Sequence, residues 1–395
     1  MTIDSKSSGV FAAALLVCAL TLHKAWAAEP VHIGFDGAYG IKTSTAEKSI
    51  ERGVLAAMEE INAAGGVLGG RPLRLLTRDN QGLPARAKDN VAELAAVADM
   101  IGVLGGKYSP AIVESFAQGP ALRVPLISVW GSADEITDAA GSGSYVFRLS
   151  LKDSWGVQAL LDRAARRYQA KRVCAVLPNT AWGRSSDSVL KKKNQKTDAS
   201  VVFTAWYNWG DTSFTETLTS CRSSGGQAVI LVANEKEAAH FFQEMAKLPA
   251  PQRFPVVAHW GMAGGVVHEL AGDALAAVDH QVIQTFTFID NKRPAAQRLA
   301  KSLMAAGGFT SLALIPSPVG AAHAYDMTHL LALAVNKAGS TNGTKVRQAL
   351  ENLPSHQGAV RLYAPAFTAK SHEALGPDQA IFVKIERSGA LSPQK

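Results

Sequence analysis

Cysteine is scarce in this chain, three residues in 395, too few for a scaffold held together mainly by disulfides. An excess of one charge sign is missing too. Forty Lys and Arg face 33 Asp and Glu, a formal charge of +7, and the basic residues are not massed on one element as a nucleic-acid footprint requires. The one dense run, Lys191, Lys192, Lys193 and Lys196, falls at the end of a predicted helix, where cations complement the carbonyl end of the dipole. Beyond the first thirty residues no apolar run reaches the roughly 18 residues of a membrane span. What is present is ordinary globular material: 47% hydrophobic and 18% charged residues with 34 Gly and 17 Pro. That composition excludes disordered, collagen-like and coiled-coil chains. The length suits two domains, each able to bury a full core.

The start of the chain reads as an export signal. Lys6 precedes a short apolar stretch over 10–22, and Ala25-Trp26-Ala27 supplies small residues at the positions a signal peptidase needs. Cleavage is expected after Ala27, which puts the mature protein in the periplasm. Cys18 follows Val17, which is larger than the residue expected before a lipidated cysteine. The two later cysteines, Cys174 and Cys221, read by default as buried small hydrophobes. Their compartment permits a disulfide, but their spacing does not imply one.

From Val31 onward, short apolar runs alternate with amphipathic stretches, the pattern of parallel strands with crossover helices. Strands are predicted over 31–35, 73–77, 101–104, 124–129 and 145–149. Ser44-Thr45-Ala46-Glu47 has the spacing of a capping box, and Ile50, Val54, Met58 and Ile61 then share one helical face until Ala63-Ala64-Gly65-Gly66 stops it. Further helices are expected over 84–98 and 111–122. A second run repeats the pattern, with strands over 172–177, 200–206, 228–232 and 255–258 and helices over 153–168, 183–196, 212–223 and 235–247. Last come a strand over 282–288, helices over 294–306, 319–337 and 345–352, and strands near 360 and over 380–385. The fold class is therefore α/β: two doubly wound lobes with mostly parallel sheets. The first is expected to hold 29–148 plus 283–355, the second 149–282 plus 356–395.

Catalytic signatures are missing. Gly65-Gly66-Val67-Leu68-Gly69-Gly70 follows a helix and precedes a strand, the reverse of a phosphate loop. There is no Gly-x-Ser-x-Gly elbow, His-Glu-x-x-His helix or Walker lysine loop. His323 and His329 are six residues apart, a spacing that does not bring two imidazoles to one helical face, so no metal site is expected. Asn342-Gly343-Thr344 matches a glycosylation acceptor, a pattern common by chance. The tryptophans, by contrast, are placed with regularity. Trp130, Trp182, Trp206, Trp209 and Trp260 all fall at or just beyond the carboxyl end of a predicted strand, the end at which open α/β sheets bind ligands. With Phe35, Tyr39 and Tyr108 they suggest an aromatic-lined cleft.

Several stretches in order carry a resemblance. They are Gly53-Val54-Leu55-Ala56-Ala57, Glu60-Ile61-Asn62-Ala63-Ala64-Gly65-Gly66-Val67-Leu68-Gly69, Asp79-Asn80-Gln81-Gly82, Val124-Pro125-Leu126-Ile127-Ser128, Tyr145-Val146-Phe147-Arg148, Asn179-Thr180-Ala181-Trp182-Gly183, Gly210-Asp211-Thr212-Ser213-Phe214 and Ala324-Tyr325-Asp326. Together they resemble the type I periplasmic solute-binding proteins, specifically the group akin to branched-chain amino acid receptors of ABC transporters. The resemblance implies two lobes joined by three crossing segments, with a small solute closed between them and an inner-membrane permease as partner. It implies neither cofactor nor nucleic acid, and it suggests a monomer. It also implies ligand contacts at Tyr108 and Ser109 after the third strand, Trp130, Gly131 and Ser132 after the fourth, and Trp182, Asn234 and Glu235 in the second lobe. Tyr39 and Trp260 join that set from their own positions.

Two departures from the family pattern matter. Asp36-Gly37-Ala38-Tyr39-Gly40 replaces the family's Pro-Leu-Thr-Gly loop, and His259-Trp260-Gly261 stands where amino acid receptors place an acidic residue. An α-ammonium group thus loses its usual partner, which favours an apolar or aromatic carboxylate. Glu235 as a replacement charge keeps an amino acid open. Two other functions compete with transport: an enzyme using Asp36, Lys107, Glu235 or His259 as acid or base, and a sensor reporting to a signalling receptor.

Overall fold

The structure, a computed structural model, describes residues 28–138, 143–192 and 198–394. The expected export signal, Cys18, Lys193 and Lys196 lie outside the described residues.

Five strands, β1 (Val31–Gly37), β2 (Leu73–Asp79), β3 (Met100–Gly105), β4 (Leu126–Ser128) and β5 (Val146–Arg148), form a parallel sheet in the order β2-β1-β3-β4-β5. Their connections carry α1 (Ala46–Ala63), α2 (Pro84–Ala95), α3 (Ser109–Phe116) and the single turns α4 (Gly119–Leu122) and α5 (Glu135–Asp138). The second run contains β6 (Arg172–Pro178), β7 (Ser200–Tyr207), β8 (Ala228–Leu231), β9 (Val256–Ala258) and β10 (His280–Gln284). Its helices are α6 (Asp153–Tyr168), α7 (Ala181–Lys191), α8 (Thr215–Ser223), α9 (Glu235–Lys247) and the short α10 (Val267–Ala271) and α11 (Asp273–Ala276). The chain then returns to the first lobe for α12 (Pro294–Gly307), α13 (Pro318–Ala338) and α14 (Gly343–Leu350). It continues through the two-residue strands β11 (His356–Gln357) and β12 (Leu362–Tyr363), and ends with β13 (Ile381–Ile385) and β14 (Leu391–Gln394) on the second sheet.

The second sheet runs β14-β13-β10-β9-β8-β6-β7, parallel from β10 to β7 and antiparallel at β13 and β14. Both sheets therefore double back beside their first strand, between β1 and β3 in one and between β6 and β8 in the other. That reversal leaves a crevice at the carboxyl ends of the strands. The central strands read as nearly unbroken apolar runs because both faces are covered; every residue of β3 and β8 is buried.

Several boundaries differ from expectation. Residues 356–375 belong with the first lobe, not the second. The amides of Ala359 and Val360 and the hydroxyl of Tyr363 donate to the buried carboxylate of Asp326 on α13, at 2.6, 2.9 and 2.8 Å. Phe367 meets Phe147 of β5 edge-on. Only β13 and β14 join the second sheet. β10 ends at Gln284, and Phe286 and Phe288, expected to continue it, pack into the core beneath α12 and α13. Ser44 and Glu47 do not form a reciprocal capping box: the Ser44 hydroxyl donates to the Glu47 carboxylate at 2.7 Å, and the helix starts at Ala46 with Thr45 as its N-cap, whose side chain accepts no capping bond. Cys174 and Cys221 are buried, as expected, and are joined in a disulfide between β6 and α8, a pairing their spacing leaves open.

Candidate functional site

The loops leaving the carboxyl ends of both sheets meet across the crevice. β3 is wholly apolar, so Gly106 and Lys107 emerge at its end and Ser109 opens α3 with Pro110 in the first turn. The Ser109 hydroxyl accepts from the amides of Ser132 and Ala133 at 3.2 and 3.3 Å, which stitches the loop after β3 to the loop after β4. The second lobe contributes Trp182 in the first turn of α7, Trp209 beyond β7, Asn234 at the start of α9, and His259, Trp260 and Gly261 beyond β9.

These residues surround a small cavity lined by Lys107, Tyr108, Ser109, Trp130, Ser132, Trp182, Trp209, Asn234, His259, Trp260 and Gly261. The walls come close enough to leave room for about one water molecule. Two glycines permit this approach. A Cβ on Gly261 would stand 2.5 Å from the Trp182 ring, and one on Gly264 would stand 2.9 Å from the Trp130 ring of the opposite lobe. The aromatic groups interlock across the crevice: Tyr108 meets Trp209 edge-on at 5.7 Å, and His259 lies 4.8 Å from Trp182 and 4.5 Å from Trp260.

The strongest polar contact between the lobes is an ion pair. Lys107 Nζ lies 2.5 Å from Glu235 Oε2, with both side chains almost completely buried. Lys107 also reaches the Gly264 carbonyl at 3.4 Å and sits 5.4 Å from the centre of the Tyr108 ring. The other oxygen of Glu235 accepts from the Thr43 hydroxyl at 2.9 Å. Around this pair, burial pushes the carboxyl of Glu47 up, partly opposed by the nearby Lys107 ammonium, and pushes the Tyr108 phenol up. The lobes are further joined by backbone bonds from Thr45 to Gly264 and from Val266 to Thr43, and by the Ser185 hydroxyl accepting from the Asp134 amide. Burial also raises Asp134, to about 6.

His259 accepts the Gly261 amide at Nδ1, so its ring proton sits on Nε2. That nitrogen faces both Ser132 Oγ at 3.4 Å and Asp153 Oδ1 at 3.3 Å. A nucleophile relay needs the serine and the acid on opposite ring nitrogens. Here they share one, so Ser132, His259 and Asp153 do not form such a relay. Asp36, an acid-base candidate from sequence, is held by the side-chain amides of Asn80 and Asn90 at 2.7 and 2.8 Å, and burial raises it to about 6. It is not part of the cavity wall.

Of the sequence-derived site residues, Tyr108, Ser109, Trp130, Ser132, Trp182, Asn234 and Trp260 come together around this cavity. Three do not. Tyr39 packs edge-on against Phe35, itself fully buried in the core. The Gly131 carbonyl is turned inward to accept from Ser128 and Ser150, and a Cβ there would stand 2.4 Å from Ile112. Glu235 is occupied by Lys107 and Thr43. Trp206 lies on the edge strand β7 and is 43% exposed, away from the crevice. The wall residues missing from the sequence-derived site set are Lys107, Trp209, His259 and Gly261. For Lys107 the available signal was a lone cation directly beyond an all-apolar strand.

Comparison with known proteins places this architecture. An amino acid binding protein of Pseudomonas aeruginosa is 24% identical over 326 residues, 82% of this chain and 83% of its own. A type 1 periplasmic binding protein from Bordetella pertussis Tohama I superposes with a TM-score of 0.80 at 21% identity, over 93% of this chain and all of its own. An ABC transporter solute-binding protein from R. palustris, solved in complex with benzoate, superposes with a TM-score of 0.74 at 18% identity, over 92% and 95% of the two chains. The sequence profile described as "Periplasmic binding protein" matches residues 30–390, and the chain belongs to that family.

Proposed function

We propose that this protein is the solute-binding component of an ABC importer, trapping an aromatic or apolar carboxylate between its lobes without chemical change. The observation that carries the reading is the composition of the cavity wall: four indoles and a phenol drawn from both lobes at the carboxyl ends of the strands. Flat apolar faces suit a ring or a branched alkyl group. The hydrogen-bonding groups beside them include several donors. Among the described residues the Trp182 Nε1–H has no partner, His259 directs its Nε2–H toward Ser132, and the Asn234 amide lines the same wall. A carboxylate or phenolic oxygen supplies the acceptor that the Trp182 donor lacks. The benzoate complex of the R. palustris protein supports this ligand class, whereas the P. aeruginosa relative supports an amino acid.

Because the walls meet, a solute of that size enters only when the lobes separate, about the crossings near 149–151, 284–286 and 375–377. Contacts to both lobes then favour the closed state, and that differential contact is the source of trapping. The test is titration calorimetry with benzoate, 4-hydroxybenzoate, 3-phenylpropanoate, 4-methylpentanoate, leucine and phenylalanine. We expect the carboxylates lacking an ammonium to bind, with at least tenfold weaker binding by Trp260→Ala. Leucine binding that is tight and survives Trp260→Ala overturns the reading.

A further inference from the structure

We propose that Lys107 is the residue that sets ligand charge: its ammonium occupies the cation position of the crevice, so the site accepts solutes that carry no ammonium of their own. This rests on the reading of the cavity as a solute site and deepens it.

Glu235 is the charged residue that opens α9 next to the wall residue Asn234. A buried carboxylate beside a ligand cavity is the natural partner for a cationic group entering from solvent. Here that capacity is already used. Oε2 holds Lys107 Nζ at 2.5 Å and Oε1 holds the Thr43 hydroxyl at 2.9 Å, and both come from the opposite lobe. Lys107 is itself part of the cavity wall, with the Gly264 carbonyl as a second acceptor and the Tyr108 ring beside it. The protein thus supplies from its own first lobe the ammonium that a ligand would otherwise bring to the second.

A second ammonium entering this space would meet a cation and, among the described residues, no carboxylate in the cavity wall. Three other carboxylates are buried nearby, Asp153, Glu47 and Glu237, but none lines the cavity, and Glu237 accepts the Gly210 amide at 2.9 Å. Asp153 stands behind His259, whose Nε2–H faces it, and Glu47 stands beside Gly106 with the Ser44 hydroxyl on one oxygen and its carboxyl pushed up by burial. Admitting a cation therefore means displacing either Lys107 or the His259 ring, and leaving a buried charge without its partner. An acid lacking an amine displaces neither.

The experiment removes the internal ammonium and offers one from outside. n-Butylammonium and the matched pair phenylalanine and 3-phenylpropanoate are titrated calorimetrically into the full-length exported protein, into Lys107→Ala, and into Lys107→Ala combined with Glu235→Gln. Lys107→Met, which keeps most of the side-chain volume, replaces Lys107→Ala if the alanine variant fails to fold. The expected result is at least a tenfold gain in affinity for the ammonium-bearing probes on loss of Lys107, abolished when Glu235→Gln is added. No gain in the Lys107 variant, or a gain that persists with Glu235→Gln, overturns the proposal. The readout is separate from that of the proposed function. If no carboxylate binds the wild-type protein, the function reading fails, while n-butylammonium still decides the role of Lys107.

Discussion

Separating Cys174 from Cys221 should weaken the second lobe by an amount that follows from chain length alone. The bridge spans 47 residues. In the chain-entropy description, a closed loop of that size disfavours the unfolded state by about 4 kcal/mol at 25 °C. Both sulfurs are buried between β6 and α8, so a reductant reaches them only as the lobe opens. Comparing oxidised wild type with wild type unfolded and refolded under dithiothreitol isolates the cross-link, because no side chain is changed. Urea unfolding followed by tryptophan emission should show a midpoint lowered by roughly 1 M or more, taking a slope of roughly 3 kcal/mol per M. The closed loop contains Trp182 and Trp209, two of the four indoles of the cavity wall, so the emission change reports on the site as well as on the fold. Coincident oxidised and reduced midpoints would refute the reasoning. They would mean that the bridge is absent or that the unfolded chain is already restrained.

Two further perturbations test the first lobe. Burial raises the Asp326 carboxyl from 3.8 to about 6, outweighing the hydrogen bonds from Ala359, Val360 and Tyr363 that favour its charged form. A folded-state pKa above the unfolded one stabilises the protonated form. The contribution is fully present below about pH 4 and lost as pH rises through about 6, a span of about 3 kcal/mol. The stability of wild type relative to Asp326→Asn, measured in urea, should therefore fall between pH 4 and pH 7.5, and a flat difference contradicts the burial argument. At Gly53 on α1 a Cβ would stand 2.1 Å from the Ala321 carbonyl oxygen of α13. Gly53→Ala should force the two helices apart and lower stability by roughly 1–3 kcal/mol, read as a drop in thermal midpoint. An unchanged midpoint would show that the helices shift freely.

The elements legible in the sequence were those whose signal is local. β3 and β8 announce themselves as unbroken apolar runs, and the face formed by Ile50, Val54 and Met58 marks α1 at once. Segment 356–375 carries no comparable period. Its place is fixed by one carboxylate, Asp326, gathering two amides and a phenol from residues 33 to 37 positions later. The same limit applied at the site. The tryptophans could be placed at strand ends from sequence, which brought Trp130, Trp182 and Trp260 to the wall. Which charge meets which could not: Lys107 and Glu235 are 128 residues apart, and each alone resembles an unclaimed ion. Tyr39 was misplaced because position after a strand does not say which way a ring turns, and Phe35 draws it aside.

Arg148 gives the crossings a role beyond connection. It ends β5 with no exposed surface, its backbone pairs with residues 372 and 374, and its Nε lies 3.0 Å from Glu373 Oε2. The same guanidinium donates to the carbonyls of Gly131 and Ala133 and to the Thr137 hydroxyl, within and just beyond the loop that carries Trp130 and Ser132. Two of the connecting segments and the jaw of the cavity are thus gripped by one rigid planar group. Any separation of the lobes at these crossings would strain that grip, and with it the loop that carries Trp130 and Ser132 to the cavity wall.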